Sequence, residues 1–329
     1  MNQAKPTIAV TMGDPRGIGP EVLAKALAQP SVRDLPVVVI GDAGVLKRTV
    51  AGLGLNLDFS LAQEFPFEAP VGRGVPVLAA SALPDGFSEE ASSRAAFAYV
   101  ETAGRLVLEG RVSGIVTGPV SKEAISRSGI PFQGHTEYLA GVSGTREFVM
   151  MLAGDRLKVS LVTTHLALSE VSRNIKEENV FSVIRITGAA LRDDFGVLSP
   201  RLAVTALNPH AGEGGLFGTE EAVILRAIRR AQEIGIEASG PWPADSLFHR
   251  AAGGEFDAVV SMYHDQGLVP LKLLHFDSAV NVTLGLPFVR TSVDHGTAFD
   301  IAGKGIAGSR SMEAAIRMAA EMAARRAAR

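Results

Sequence analysis

The sequence predicts an α/β protein built on a largely parallel sheet covered on both faces, and three observations carry that reading. Apolar, β-branched runs bounded by Gly or Pro recur along the 329 residues. Stretches with helical period lie between most of them. No long linker, low-complexity tract or internal repeat breaks the alternation. Strands covered on both faces read as near-continuous Val/Ile/Leu runs, and a helix between successive strands is what a parallel crossover requires.

The first run, residues 7–12, is expected to follow directly on Met1 to Lys5, with no signal-peptide apolar region. Further strands are predicted at 36–40, 114–117, 148–152, 159–164, 202–207 and 258–262, and helices at 88–109, 177–195 and 219–234. The tail, 309–329, reads as an amphipathic Ala/Met helix with a basic end; its small-residue stripe suits packing better than a membrane. The length suggests about two domains, and without a linker the chain is expected to cross between them more than once.

Hydrophobic residues make up 47% of the chain, enough for sizeable cores. The formal charge of -3 and a pI near 6.2 give no basic footprint for nucleic acid or anionic lipid, so small-molecule partners are expected. No apolar run reaches the ~20 residues that cross a bilayer. A cytoplasmic protein is the expectation. With no cysteine, disulfides, thiolate nucleophiles and Cys-type zinc sites are excluded, and any metal must rest on His and carboxylate.

Three of the seven histidines close strand-like runs: Thr163-Thr164-His165, Asn208-Pro209-His210 and Met262-Tyr263-His264. Ligands of open α/β sheets bind beyond the carboxyl ends of strands, and three imidazoles hold a divalent ion with a position left open. Taken singly, each is equally an ordinary hydrogen-bonded polar residue at a strand end. Gly13-Asp14-Pro15-Arg16-Gly17-Ile18-Gly19-Pro20-Glu21 offers glycines and a helix start to an anion or forms only a structural turn. Its third dinucleotide position falls on Val22, so it is no Rossmann fingerprint.

Thr117-Gly118-Pro119-Val120-Ser121-Lys122 and Gly134-His135-Thr136-Glu137 would set a hydroxyl, an imidazole and an ammonium at one rim, or supply a Thr cap and a surface His. Asp245 stands just before a helix, as a catalytic carboxylate or an N-cap. Lys272, Asn281 and Arg290 could clamp a phosphate or carboxylate, although surface Lys and Arg are common. Asp294-His295-Gly296-Thr297-Ala298-Phe299-Asp300 and the residues to Gly305 read as a polar loop leading into a short helix.

Together these strings resemble one family nearly end to end: the 4-hydroxythreonine-4-phosphate dehydrogenases of pyridoxal-phosphate biosynthesis. The residues carrying the resemblance are MGDPRGIGPE, TGPVSKEAI, GIPFQGHTE, TTHLALSEV, LNPHAGEGG, PADSLF, MYHDQG and NVTLGLPFVRTSVDHGTAFDIAGKG, in order. The last also looks like the adenosine-side loop of isopropylmalate and isocitrate dehydrogenases. The resemblance implies a two-domain α/β/α fold with a mostly parallel mixed sheet, isopropylmalate dehydrogenase-like. It implies one domain of residues 1–120 plus 284–329, carrying both termini and the cofactor loop, and a second of residues 121–283, carrying metal ligands and dimer contacts.

It further implies NAD(P) bound by Asp294, His295, Gly296, Thr297 and Asp300. One divalent ion (zinc, magnesium or cobalt) would sit on His165, His210 and His264, the last given by the neighbouring subunit of a homodimer. Substrate contacts fall on His135, Thr136, Lys272, Asn281 and Arg290. The implied reaction oxidises the C3 alcohol of 4-phosphooxy-L-threonine, with His135, Lys272 and Asp245 as candidate proton acceptors. Related members oxidise 4-phospho-threonate, 4-phospho-erythronate or cyclic dihydrodiols. Two other classes stay open on the residues alone: a divalent-metal phosphoester hydrolase and a non-catalytic small-molecule binder.

Overall fold

The computed structural model describes residues 6–62 and 74–329. The expectation for Met1 to Lys5 lies outside the described residues. The chain divides into two compact units, Met1–Arg146 with Leu286–Arg329, and Glu147–Gly285. In the first, the chain runs β1 (Ile8–Thr11), α1 (Gly19–Leu27), α2 (Pro30–Arg33), β2 (Val37–Gly41), α3 (Ala43–Leu53), β3 (Phe59–Leu61), β4 (Val75–Ala79), α4 (Glu89–Leu108), β5 (Gly114–Thr117), α5 (Lys122–Arg127) and α6 (His135–Val142). The second holds β6 (Val149–Ala153), β7 (Lys158–Leu161), α7 (Leu168–Asn174), α8 (Glu177–Asp193), β8 (Arg201–Thr205), α9 (Glu220–Glu233), β9 (Glu237–Trp242), α10 (Ala244–Ala252), β10 (Ala258–Ser261), α11 (His264–His275) and β11 (Val280–Leu284). The chain then returns to the first unit as β12 (Val289–Val293) and α12 (Arg310–Ala327).

Unit 1 orders its described strands β3-β4-β2-β1-β5-β12, every pair parallel. β1, β2, β5 and β12 are buried along their whole length, as Val/Ile-rich strands between two helical layers should be. Helix ends follow local chemistry. Ser88 caps α4 by accepting from Ala91 N, with Glu89 and Glu90 in the first turn. Asp42 caps α3 through Val45 N, and Gly54, at φ 61°, closes it. Unit 2 orders its strands β11-β6-β7-β10-β8-β9. β6 runs antiparallel to β11 and β7, while β7, β10, β8 and β9 pair in parallel. The sheet is therefore mostly parallel and mixed, and the α/β class predicted from the sequence holds.

Three features differ from the sequence reading. Residues 121–146, expected in the second domain, belong to the first, because Ile125 of α5 and Phe132 pack with Ala96 of α4 in one cluster. The return crossing falls after Gly285, not at 283/284. The loop after Asp294 leads to no short helix; it runs on to Ser309, where the 18-residue α12 begins.

At the end of α11, His275 is buried, and Arg156 N donates to its Nε2 at 3.3 Å. Gly154 makes room for the ring, since a Cβ there would overlap it. Burial pushes the imidazole below its usual value; Asp155 opposes this, and Arg156 and Lys158 add to it. His275 therefore stays neutral when folded at a pH where the unfolded chain takes up a proton. Its folded pKa is depressed, so the stability it contributes is full above ~6.5 and is lost as pH falls from there toward the folded value. Denaturant unfolding at pH 7.5 and 5.5 should show this loss. A His275→Gln variant should show a smaller loss; an identical pH dependence refutes the assignment.

Candidate active site

At the carboxyl end of β5, beside the first residues of β12, unit 1 builds a cationic cradle. Arg290 of β12 is 3% exposed. Its Nη2 donates to Thr117 Oγ1 at 2.8 Å and its Nη1 to Thr136 Oγ1 at 3.4 Å. Two threonine hydroxyls thus orient the guanidinium fork. Burial pulls its pKa down to about 10, with Glu137 working against the shift. The group stays charged at neutral pH, and a charge carried this deep favours an anion beside it. His135 opens α6 and stacks edge-on against Phe132 at 5.7 Å. Its Nε2 is shut off from solvent and has no hydrogen-bond partner among the described residues. Burial, then Arg290 and Lys122, hold this imidazole well below its ordinary pKa, so it is neutral.

The loop that follows β12 is fastened to the first βα turn. Thr297 O accepts from Ile18 N at 2.9 Å, and Gly17 lies so close that a Cβ would come 2.8 Å from that carbonyl. Glu21, buried at 3% exposure, accepts from Gly305 N and Ala307 N. Lys25 pairs with Glu21 at 2.7 Å and donates to the carbonyls of Gly305 and Ala307. Arg16, Arg48, Thr49 and Lys304 help line a cavity of about 430 Å³ between this loop, α1 and α3. His295 Nδ1 contacts Gly296 O, and its buried Nε2 has no partner among the described residues. Asp300 is exposed.

In unit 2 the three histidine-bearing strand tips are stapled together. Thr163 Oγ1 donates to Met262 O at 2.7 Å, joining the β7 and β10 tips. Gln266 joins β10 to β8: its Oε1 accepts from Thr205 Oγ1 and Met262 N, each at 2.8 Å, and its Nε2 donates to Ala206 O. His165 and His264 face each other with ring centroids 5.8 Å apart. His264 Nδ1 meets Asp265 Oδ1 at 2.7 Å, which leaves Nε2 free as a ligand atom; a carboxylate on the far nitrogen is the usual companion of a metal-binding imidazole.

Among the described residues, no three His, Cys, Asp or Glu side chains gather closely enough to hold an ion. Within one chain the expected convergence of three tips is therefore not met. The strand order gives the reason: β7 and β10 are neighbours, whereas β8 lies beyond β10, and His210 rides on a turn of left-handed backbone. The three imidazoles fit a divalent ion in donor type, and the carboxylate at Nδ1 of His264 suits a ligand role for its Nε2.

The remaining expected residues are spread. Asp245 lies in the exposed first turn of α10 and is not its N-cap, a position held by Pro243. Lys272 stands two turns into α11, and Asn281 sits on β11 opposite Leu152. Asn281 Oδ1 is buried without a hydrogen-bond partner among the described residues. Glu21, Lys25, Thr163 and Gln266 were not singled out from the sequence. Each sits inside a quoted motif or one turn beyond it, and the i,i+4 spacing of Glu21 and Lys25 was a readable signal.

Comparison with known proteins follows this geometry. The family model described as "Pyridoxal phosphate biosynthetic protein PdxA" matches residues 33–319. A Geobacter metallireducens 4-hydroxythreonine-4-phosphate dehydrogenase is 50% identical, over 98% of this chain and 97% of its own. An Oceanobacillus iheyensis relative, named as a candidate D-threonate 4-phosphate dehydrogenase, is 44% identical over 97% and 98%. The crystal structure of the Klebsiella pneumoniae 4-hydroxythreonine-4-phosphate dehydrogenase superposes with a TM-score of 0.88 at 41% identity, covering 97% of this chain and 99% of that one. Fold and relatives together define a dehydrogenase of the two-unit α/β class. The chain belongs to the PdxA family of pyridoxal phosphate biosynthetic proteins. Among the described residues no helix is long and apolar enough to cross a membrane.

Proposed function

We propose that the chain oxidises the C3 alcohol of 4-phosphooxy-L-threonine with NAD(P) to 2-amino-3-oxo-4-phosphooxybutanoate. The C3 hydride passes to the nicotinamide ring and the hydroxyl proton to a basic side chain. The β-keto acid then loses carbon dioxide to give 3-amino-2-oxopropyl phosphate. The observation that carries this reading is the buried Arg290 fork, oriented by Thr117 and Thr136, in a chain of this family.

In this reading Arg290 holds an anionic group of the substrate, with Thr136, Lys272 and Asn281 as further contacts. The unpartnered Asn281 Oδ1 is suited to a ligand donor. His135 is the proton acceptor best supported among the three candidates: it is neutral, and its Nε2 has no competing partner. Asp245, exposed on α10, has less support. His165, His210 and His264 would hold one divalent ion, zinc, magnesium or cobalt, in a homodimer whose neighbouring subunit completes the set. That ion supplies Lewis-acid polarisation of the reacting oxygen. NAD(P) would lie along Asp294 to Asp300, and the 430 Å³ cavity beside that loop has the size of a small-molecule site.

The test is a steady-state panel: 4-phosphooxy-L-threonine, D-threonate 4-phosphate, D-erythronate 4-phosphate and an aromatic cis-dihydrodiol, each with NAD and NADP, following reduced nicotinamide at 340 nm. Highest kcat/KM with 4-phosphooxy-L-threonine is expected. A higher value for any other alcohol overturns the substrate. Phosphate release without nicotinamide reduction overturns the reaction class.

A further inference from the structure

We infer that Glu221 is a positioning residue for His210, holding the left-handed turn that presents this imidazole. The inference rests on the proposed reading of His210 as a metal ligand.

The turn is unusual in itself. His210, Ala211, Gly212, Glu213 and Gly214 follow one another at φ 52°, 53°, 77°, 43° and 65°. Three of the five carry a Cβ, which disfavours that conformation at each of them. Such a run persists only where its surroundings over-determine it. What surrounds it is α9. Glu221 Oε1 accepts from Leu207 N at 3.1 Å and from Asn208 N at 2.8 Å, and Oε2 accepts from Asn208 Nδ2 at 3.1 Å. One carboxylate thus takes three hydrogen bonds from the two residues that lead into Pro209 and His210. The turn also wraps around it, since a Cβ on Gly212 would stand 2.6 Å from Glu221 Oε2.

Glu220 extends the same hold to a second histidine-bearing segment. Its Oε2 accepts from Asn208 Nδ2 at 2.9 Å, and its Oε1 accepts from Ser172 Oγ on α7, the helix that begins three residues after His165. Two acidic residues in a first helical turn have an ordinary explanation in the helix dipole. That explains their charge but not their aim, because the dipole asks for no contact with residues thirteen and fourteen positions earlier. A glutamine would not substitute: one of its two polar atoms is a donor, and at Glu221 both carboxylate oxygens accept from protein donors.

The experiment uses the full chain, stripped of metal and titrated with Co(II) against a competing chelator, reading affinity and the visible d–d spectrum. Glu221→Gln should weaken Co(II) by about 10- to 100-fold, the range for groups that orient metal ligands, and should alter the spectrum while the metal-free chain stays folded by circular dichroism. Added to His210→Ala, the same change should lower the residual affinity no further, because its effect runs through His210. Should Glu221→Gln not fold, Glu220→Gln is expected to weaken Co(II) in the same sense. Affinity and spectrum unchanged by the Glu substitutions, while His210→Ala lowers the affinity, overturn this inference alone. Binding that His210→Ala leaves intact overturns the ligand assignment and the inference with it.

Discussion

His264→Ala is expected to lose the bound divalent ion and nearly all turnover while keeping the fold. The side chain stands at the first residue of α11, 35% exposed, paired through Nδ1 to Asp265 and opposite His165 at 5.8 Å. Its removal opens no cavity in the core, so the cost falls on the site. Altering only a group that orients a metal ligand costs about 10–100-fold in affinity, and deleting the ligand itself should cost more. Elemental analysis of the purified variant reads the outcome directly, and full metal occupancy would sink the assignment. A mixture of inactive His165→Ala and inactive His264→Ala chains tests where the third ligand comes from. If His264 of the partner subunit completes each site, a mixed dimer keeps one intact set, and activity should return. If His264 instead serves the same site as the His165 it faces, no intact set forms and the mixture stays dead despite proven subunit exchange.

Much of the fold was readable because burial on two faces writes itself into sequence. Val37, Val38, Val39 and Ile40 could hardly be anything but a covered strand, and the predicted helix 88–109 matches α4 together with its caps, Ser88 and Glu109. β3 at three residues and β9, with Gly240 and Pro241 inside it, carry too little pattern to register. β11 and β12 interrupt their apolar residues with Asn281 and Arg290, so the sequence shows ligand-type side chains there more plainly than strands.

The site divides in the same way. Motif chemistry pointed to Arg290, His135 and the three histidines. Thr117 was legible as a rim hydroxyl, but not its hold on the Arg290 guanidinium 173 residues away, nor the reach of Gln266 to Thr205 across 61. No local pattern encodes such a separation. Nor does any local pattern announce that a segment as polar and glycine-rich as residues 209–215 takes up left-handed backbone rather than an open loop.

Arg290→Lys is expected to lower kcat/KM for the phosphorylated alcohol by about 10- to 100-fold, with NAD affinity little changed. The substitution keeps a cation in name only. Arg290 reaches Thr117 with one terminal nitrogen and Thr136 with the other, and that fixed fork presents two parallel donors to an oxyanion. A lysine's three donors all leave one nitrogen, so it cannot hold both threonines and also offer two parallel donors in the plane of a fork. The burial that brings the guanidinium down to about 10 would also lower an ammonium, which starts from only ~10.4 and so comes nearer to losing its charge at working pH. A charge-assisted contact in a desolvated site contributes roughly 1.5–3 kcal/mol, which is the stated range in rate at 1.36 kcal/mol per tenfold. Because the ammonium titrates where the guanidinium does not, the variant should also lose activity earlier than the parent as pH rises above 8. A kcat/KM within twofold of the parent, together with weakened NAD binding, would move Arg290 out of the substrate cradle and into the cofactor site.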